Sequence, residues 1–117
     1  MIDVSRVERY YRLVDADDVD GLVDLFAPDA VYRRPGYEPL VGHDALRAFY
    51  EGDRVIESGA HTVDHTVVGE ESVAVHGRFE GVLRDGSSAS LRFADFFTFA
   101  PNGAFATRDT FFFAPLV

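Results

Sequence analysis

The chain contains no cysteine and no lysine. Without cysteine there is no disulfide, no thiolate nucleophile and no cysteine-ligated metal. No apolar run approaches the roughly 18 residues that a membrane helix needs, and no secretory signal opens the sequence. The cytoplasm is therefore the expected compartment, with no membrane partner. Basic residues are scarce as well, eleven arginines against twenty acidic residues, for a net charge of −9. Such a surface repels phosphate backbones and anionic lipid, so nucleic acid is not an expected partner. The Asp-rich, lysine-free composition fits a cytoplasm of very high salt or a GC-rich genome.

What is present suits one folded unit. A length of 117 residues is that of a single domain spanning 1–117, and 47% hydrophobic residues supply a core. The first half reads as helical. Ser5 and Glu8 have capping-box spacing, and Val4, Val7, Tyr11 and Val14 recur at helical intervals. Asp17 or Asp18 caps a second short helix through Phe26 that Pro28 closes, and Asp44 to Glu51 forms a third. A short strand is expected at Ala30 to Arg33, then a turn at Pro35-Gly36. After Gly59 the period becomes that of strands: His61 to Val68, Ser72 to Leu83, Ala89 to Phe99 and Ala104 to Ala114. Asp85-Gly86 and Asn102-Gly103 mark tight hairpin turns. Helices followed by antiparallel strands define an α+β fold.

Along Ser72 to Leu83, Val73, Val75, Gly77, Phe79 and Gly81 share one face, while Ala74, His76, Arg78, Glu80 and Val82 share the other. Taken alone, this alternation turns the charged face to solvent. In the next strand Leu91, Phe93, Asp95, Phe97 and Phe99 share a face, placing one carboxylate in an apolar stripe. Burying it is costly unless it finds a donor or is protonated, and a protonated acid can donate to a developing oxyanion. The alternative is a structural aspartate bound to a backbone amide or an arginine. The last strand carries phenylalanine on both faces, so parity leaves open whether Asp109 or the Arg108/Thr110 pair faces inward. Apolar residues on both faces suit a sheet with a pocket on one side and another subunit on the other, so a homodimer is expected. His43, His61, His65 and His76 are scattered, and no metal site is expected. No phosphate loop or nucleophile elbow occurs.

Three runs resemble bacterial ketosteroid isomerases: RYYRLVDADDVDGLVDLFAPDAV from Arg9, GHDALRAFYEG from Gly42 and ADFFTFAPNGAF from Ala94. The resemblance identifies the chain as a ketosteroid isomerase-like, SnoaL-like member of the nuclear transport factor 2-like superfamily. It implies a cone-shaped, curved antiparallel sheet wrapped around N-terminal helices and enclosing a pocket. It also implies an oxyanion hole of Tyr10 and Asp95, with Tyr50 hydrogen-bonded to Tyr10. The chain departs from the family where its general base, an aspartate before a proline, is replaced by Arg34 before Pro35. By the same resemblance His76, Arg78 and Glu80 turn into the pocket, joined by Arg108, Thr110 and Phe112.

Those assignments imply a cofactor-free acid–base enzyme of the isomerase, cyclase or dehydratase type, acting on a small carbonyl compound. Tyr10 and Asp95 would be oxyanion donors, Glu80 (or His76) the base, and Arg34, Arg78 and Arg108 the ligand orienters. Two alternatives stand beside it. One is a noncatalytic binding or dimerisation domain in which Arg34 pairs with Glu80 or Asp95. The other is epoxide hydrolysis, since Arg78-x-Glu80 resembles the Arg-x-Asp pair of limonene epoxide hydrolase.

Overall fold

In the computed structural model, which describes residues 3–113 apart from the Asp53 side chain, three helical segments precede and interrupt one six-stranded sheet. Helix α1 (Val4–Asp15) buries Val7, Tyr10, Tyr11 and Val14, a single stripe at helical spacing. Its N-cap is Asp3 rather than Ser5: the Asp3 carboxylate accepts from the Ser5 amide at 3.0 Å. Asp17 takes the left-handed conformation that ends the helix, and Asp18 caps α2 (Val19–Val23) by accepting from Gly21 N.

The chain then enters a strand earlier than its sequence suggests. Strand β1 spans Phe26–Arg33, although Pro28 lies within it. The proline is tolerated because its pairing with the last strand is irregular between Phe26 and Val31, where a missing N–H breaks no ladder bond. A short β2 (Leu40–Val41) pairs back onto β1. Helix α3 (Gly42–Ala48) follows and widens into a π-helical turn over Phe49–Asp53, in place of a continuous helix to Glu51.

Strands β3 (Ile56–Val68), β4 (Ser72–Leu83), β5 (Ser88–Phe99) and β6 (Phe105–Phe113) form successive antiparallel pairs. Ala114, the expected end of the last strand, lies outside the described residues. Gly86 and Gly103 adopt positive φ in the two tight turns. The sheet order is β2-β1-β6-β5-β4-β3, and β1 runs parallel to β6. The β3–β4 register shifts between Val63 and His65, opposite Gly77, where an added Cβ would lie 2.0 Å from Thr62 O. This bulge and close approach bend the sheet around α1. The core of Tyr10, Phe26, Tyr32, Phe49, Phe97 and Phe105 fills the concave side.

Candidate functional site

A cavity of about 190 Å³ opens between α1, the π-helical turn and the concave sheet. Its walls are mostly apolar, with Phe79, Leu91, Phe93 and Phe112 from the strands and Val14 from α1. Polar groups enter at three places.

The first is a cluster around Arg108. Asp95 on β5 is fully buried, and Arg108 Nη2 donates to its Oδ2 at 2.8 Å. The Tyr11 hydroxyl also donates to Oδ2, and Thr110 Oγ1 donates to Oδ1. Both carboxylate oxygens are thus occupied as acceptors, and Asp95 is not among the groups facing the cavity. It anchors Arg108 from behind the cavity wall. Arg108 in turn donates through Nη1 to the Tyr10 hydroxyl and, at 3.2 Å, to the Tyr50 hydroxyl. Burial opposes charge on Arg108, but the Asp95 carboxylate together with Tyr10, Tyr32 and Tyr50 outweighs it and holds the guanidinium pKa well above its ordinary value.

Tyr10 and Tyr50 share one hydrogen bond. Two phenols carry two protons, and one bond between them uses one. The second has no acceptor among the described residues, so the pair is left with a donor at the cavity wall. Burial drives the Tyr10 pKa well above its usual value and the Tyr50 pKa to about 12, so both remain neutral donors. Tyr11 is shifted upward as well, first by burial and then by the Asp95 charge.

The second polar place is His61, at the start of the region where β3 passes α1. The Asp15 carboxylate, at the end of α1, lies 2.6 Å from His61 Nδ1 and accepts from the His61 backbone N–H at 2.9 Å. Because a carboxylate only accepts, Nδ1 carries the proton, and the neutral ring keeps its lone pair on Nε2. The side chain is 11% exposed, packs against Tyr11, Phe79 and Phe93, and lines the cavity. The sequence reading missed this dyad: the two residues are far apart in the chain, and His61 figures there only as one of four scattered histidines.

The third is a pair of arginines. Arg34 lies over the rings of Tyr37, Phe49 and Phe112 at 5.1–5.3 Å, and its Nη1 donates to Tyr32 Oη at 3.3 Å. It pairs with neither Glu80 nor Asp95. Arg54, placed at the end of the π-helical turn, is 8% exposed and lies over the Tyr50 ring.

Of the sequence-predicted residues, the fold therefore gathers Tyr10, Tyr50, Arg34, Arg108, Thr110 and Phe112 around one cavity, with Asp95 directly behind them. It does not gather His76, Arg78 and Glu80. These lie on the exposed face of β4, because Val73, Val75 and Phe79 take the core side. Arg78 makes a two-point pair with Asp64, both contacts at 3.0 Å, and His76 stacks on His65. The expectation that this face enters the pocket is corrected, and the Arg78-x-Glu80 basis for epoxide hydrolysis goes with it. Among the described residues no three His, Asp or Glu side chains converge on a metal position.

A curved sheet around N-terminal helices, with a cavity at its open side, defines the cone fold of nuclear transport factor 2-like proteins. Solved structures share it. SalBIII, an epoxide hydrolase/cyclase-like enzyme in pyran ring formation in the polyether salinomycin, is 24% identical over 93% of this chain and 88% of its own, with a TM-score of 0.81. An NTF2-like protein of unknown function from Burkholderia pseudomallei K96243 is 24% identical over 94% of this chain and 89% of its own, TM-score 0.85. TerC, co-crystallised with polyporic acid, is 18% identical over 94% and 90%, TM-score 0.81. Residues 7–107 match the SnoaL-like domain, and the chain belongs to that family.

Proposed function

We propose that the cavity performs cofactor-free acid–base chemistry on a small carbonyl compound, with His61 as base and Tyr10, Tyr50 and Arg108 as oxyanion donors. One observation carries the reading: an apolar cavity holds a carboxylate-oriented imidazole and a cluster of neutral phenols backed by a cation. In the step itself, His61 Nε2 takes a proton from carbon next to a carbonyl. The C–H electron pair becomes the enolate, and its oxygen is met by the free phenolic proton and Arg108. Reprotonation at another carbon, ring closure or loss of a hydroxyl would complete an isomerase, cyclase or dehydratase cycle. The fold relatives SalBIII and TerC are compatible with a small organic ligand, while the chemistry rests on this chain's own residues.

The test uses 2-tetralone as carbon acid and 2-naphthol as a planar mimic of its enol. Wild-type protein should accelerate deuterium exchange next to the carbonyl beyond an equal concentration of imidazole. His61→Asn should lower exchange by about 10²–10⁴-fold and leave 2-naphthol affinity within about twofold. Undiminished exchange in His61→Asn removes that residue as the base. Binding of 2-naphthol with no exchange by wild type leaves a noncatalytic ligand-binding protein.

We also infer a homodimer formed through the outer face of the sheet. Phe96, Phe111 and Phe113 are exposed there, Phe113 by 71%, with Phe96 and Phe111 in edge contact at 5.8 Å. Such a patch is costly to leave in water. Sedimentation should give a dimer for wild type and a monomer for Phe111→Glu; a monomeric wild type at micromolar concentration rejects it.

A further inference from the structure

The cavity contains more positive charge than its own network balances. Among the described side chains no aspartate or glutamate lines it, whereas Arg34, Arg54 and Arg108 do. Arg108 is matched by Asp95 at 2.8 Å. Among the described side chains no carboxylate pairs with Arg34 or Arg54. Scarcity of carboxylates is not the reason, since acidic residues outnumber basic ones twenty to eleven.

Both cations belong to one aromatic wall. Arg34 lies over Phe49, Phe49 packs against Tyr50 at 5.0 Å, and Arg54 lies over the Tyr50 ring. Ring faces orient a guanidinium and partly compensate its charge, but they accept no in-plane N–H bonds. Arg34 Nε is buried and lacks a hydrogen-bond partner among the described residues, and Arg54 is more than nine-tenths buried. A buried cation with unfilled donors is costly unless an anion completes it, and planar guanidinium matches a carboxylate in two-point geometry.

We propose that the ligand of this cavity is a small, flat monoanion whose carboxylate is bound by Arg34 and Arg54, leaving its carbonyl for the tyrosine end. The volume of about 190 Å³ restricts it to something smaller than occupants of the 300–1,000 Å³ pockets usual for drug-sized ligands. A ligand anchored by its own charge also explains why an arginine can stand at Arg34: that position then binds substrate, and proton transfer falls to His61. The inference rests on the cavity being the ligand site and is independent of His61 acting as base.

The test compares 2-naphthoate with 2-naphthamide, matched in shape and different in charge, and uses 2-naphthol as a neutral reference. By calorimetry or NMR titration, wild type should bind the acid at least tenfold more tightly than the amide. In Arg34→Gln/Arg54→Gln the ratio should fall to about twofold or less while 2-naphthol affinity is kept. A wild-type ratio near one, with 2-naphthol bound, overturns the carboxylate site alone. A ratio that survives in a folded double variant overturns it too. If neither acid nor naphthol binds wild type, the cavity is not the ligand site and both readings fall. Should the double variant not fold, the wild-type ratio decides the question.

Discussion

Strands β4 and β6 each carry one arginine, yet they send it to opposite sides of the sheet. Arg108 on β6 is 5% exposed, whereas Arg78 on β4 lies at the surface. Parity alone does not separate them; what each arginine would meet inside does. On the concave side β6 adjoins β5, whose Asp95 stands opposite Thr110 and within 2.8 Å of Arg108. On β4 the core side next to Arg78 is taken by Phe79, which lies close over Gly59 and Gly81 and fills the space that an arginine would need. On β6 the charge enters the core beside a counter-charge that the neighbouring strand supplies.

The largest expected effect follows from removing that counter-charge. Asp95→Ala leaves the buried Arg108 without a counter-charge and should cost about 3–5 kcal/mol of stability in urea denaturation. Adding Arg108→Met to Asp95→Leu should recover most of the loss, because an apolar pair replaces a buried ion pair at little cost. If Asp95→Ala alone costs less than about 1 kcal/mol, the Asp95–Arg108 pair does not set the direction of β6.

A smaller effect comes from the phenols that complete the inner network and have no counterpart on the outer face. The Tyr50 pKa is raised in the folded state from the ordinary 10.0 to about 12. A raised folded-state pKa contributes stability that is whole below the unfolded value and is lost as pH rises through the folded one. The denaturation midpoint should therefore hold up to about pH 10 and fall between 10 and 12. Two units correspond to roughly 2–3 kcal/mol for Tyr50. Tyr50→Phe should flatten part of that slope; an unchanged slope would mean that the loss has another origin.

The same contrast explains what was legible beforehand. Turn chemistry at Asp85-Gly86 and Asn102-Gly103 and the clean period of two located the later strands, with Ser72–Leu83 found at both ends. Asp95 stood out because a lone carboxylate in a stripe of Leu91, Phe93, Phe97 and Phe99 must be accounted for locally. Its partners could not be read the same way: Tyr11 lies 84 residues away, and Arg108 faces inward only because Asp95 is there. For β4 the resemblance argued for an inward charged face and the plain alternation argued against it; the alternation was the better guide. His61 and Asp15 were hidden because β3 begins at Ile56, five residues before its pattern becomes recognisable, and passes the end of α1. Arg54 depends on a π-helical turn that helical periodicity does not reveal.

The smallest effect is expected on the outer face of β4. Asp64 accepts two hydrogen bonds from Arg78, and the first of its influences, that hydrogen bonding, lowers its carboxyl pKa below 3.8. A lowered folded-state pKa contributes stability present above the unfolded value and lost as pH falls. Water and salt screen this exposed pair, so Asp64→Asn should leave the urea midpoint unchanged at neutral pH in moderate salt. Glu80→Gln, on the same face, should change neither 2-naphthol affinity nor 2-tetralone exchange. A loss of exchange in Glu80→Gln would mean that the outer face of β4 reaches the reacting atoms, and the division of charge between β4 and β6 drawn from Asp95 would then be wrong.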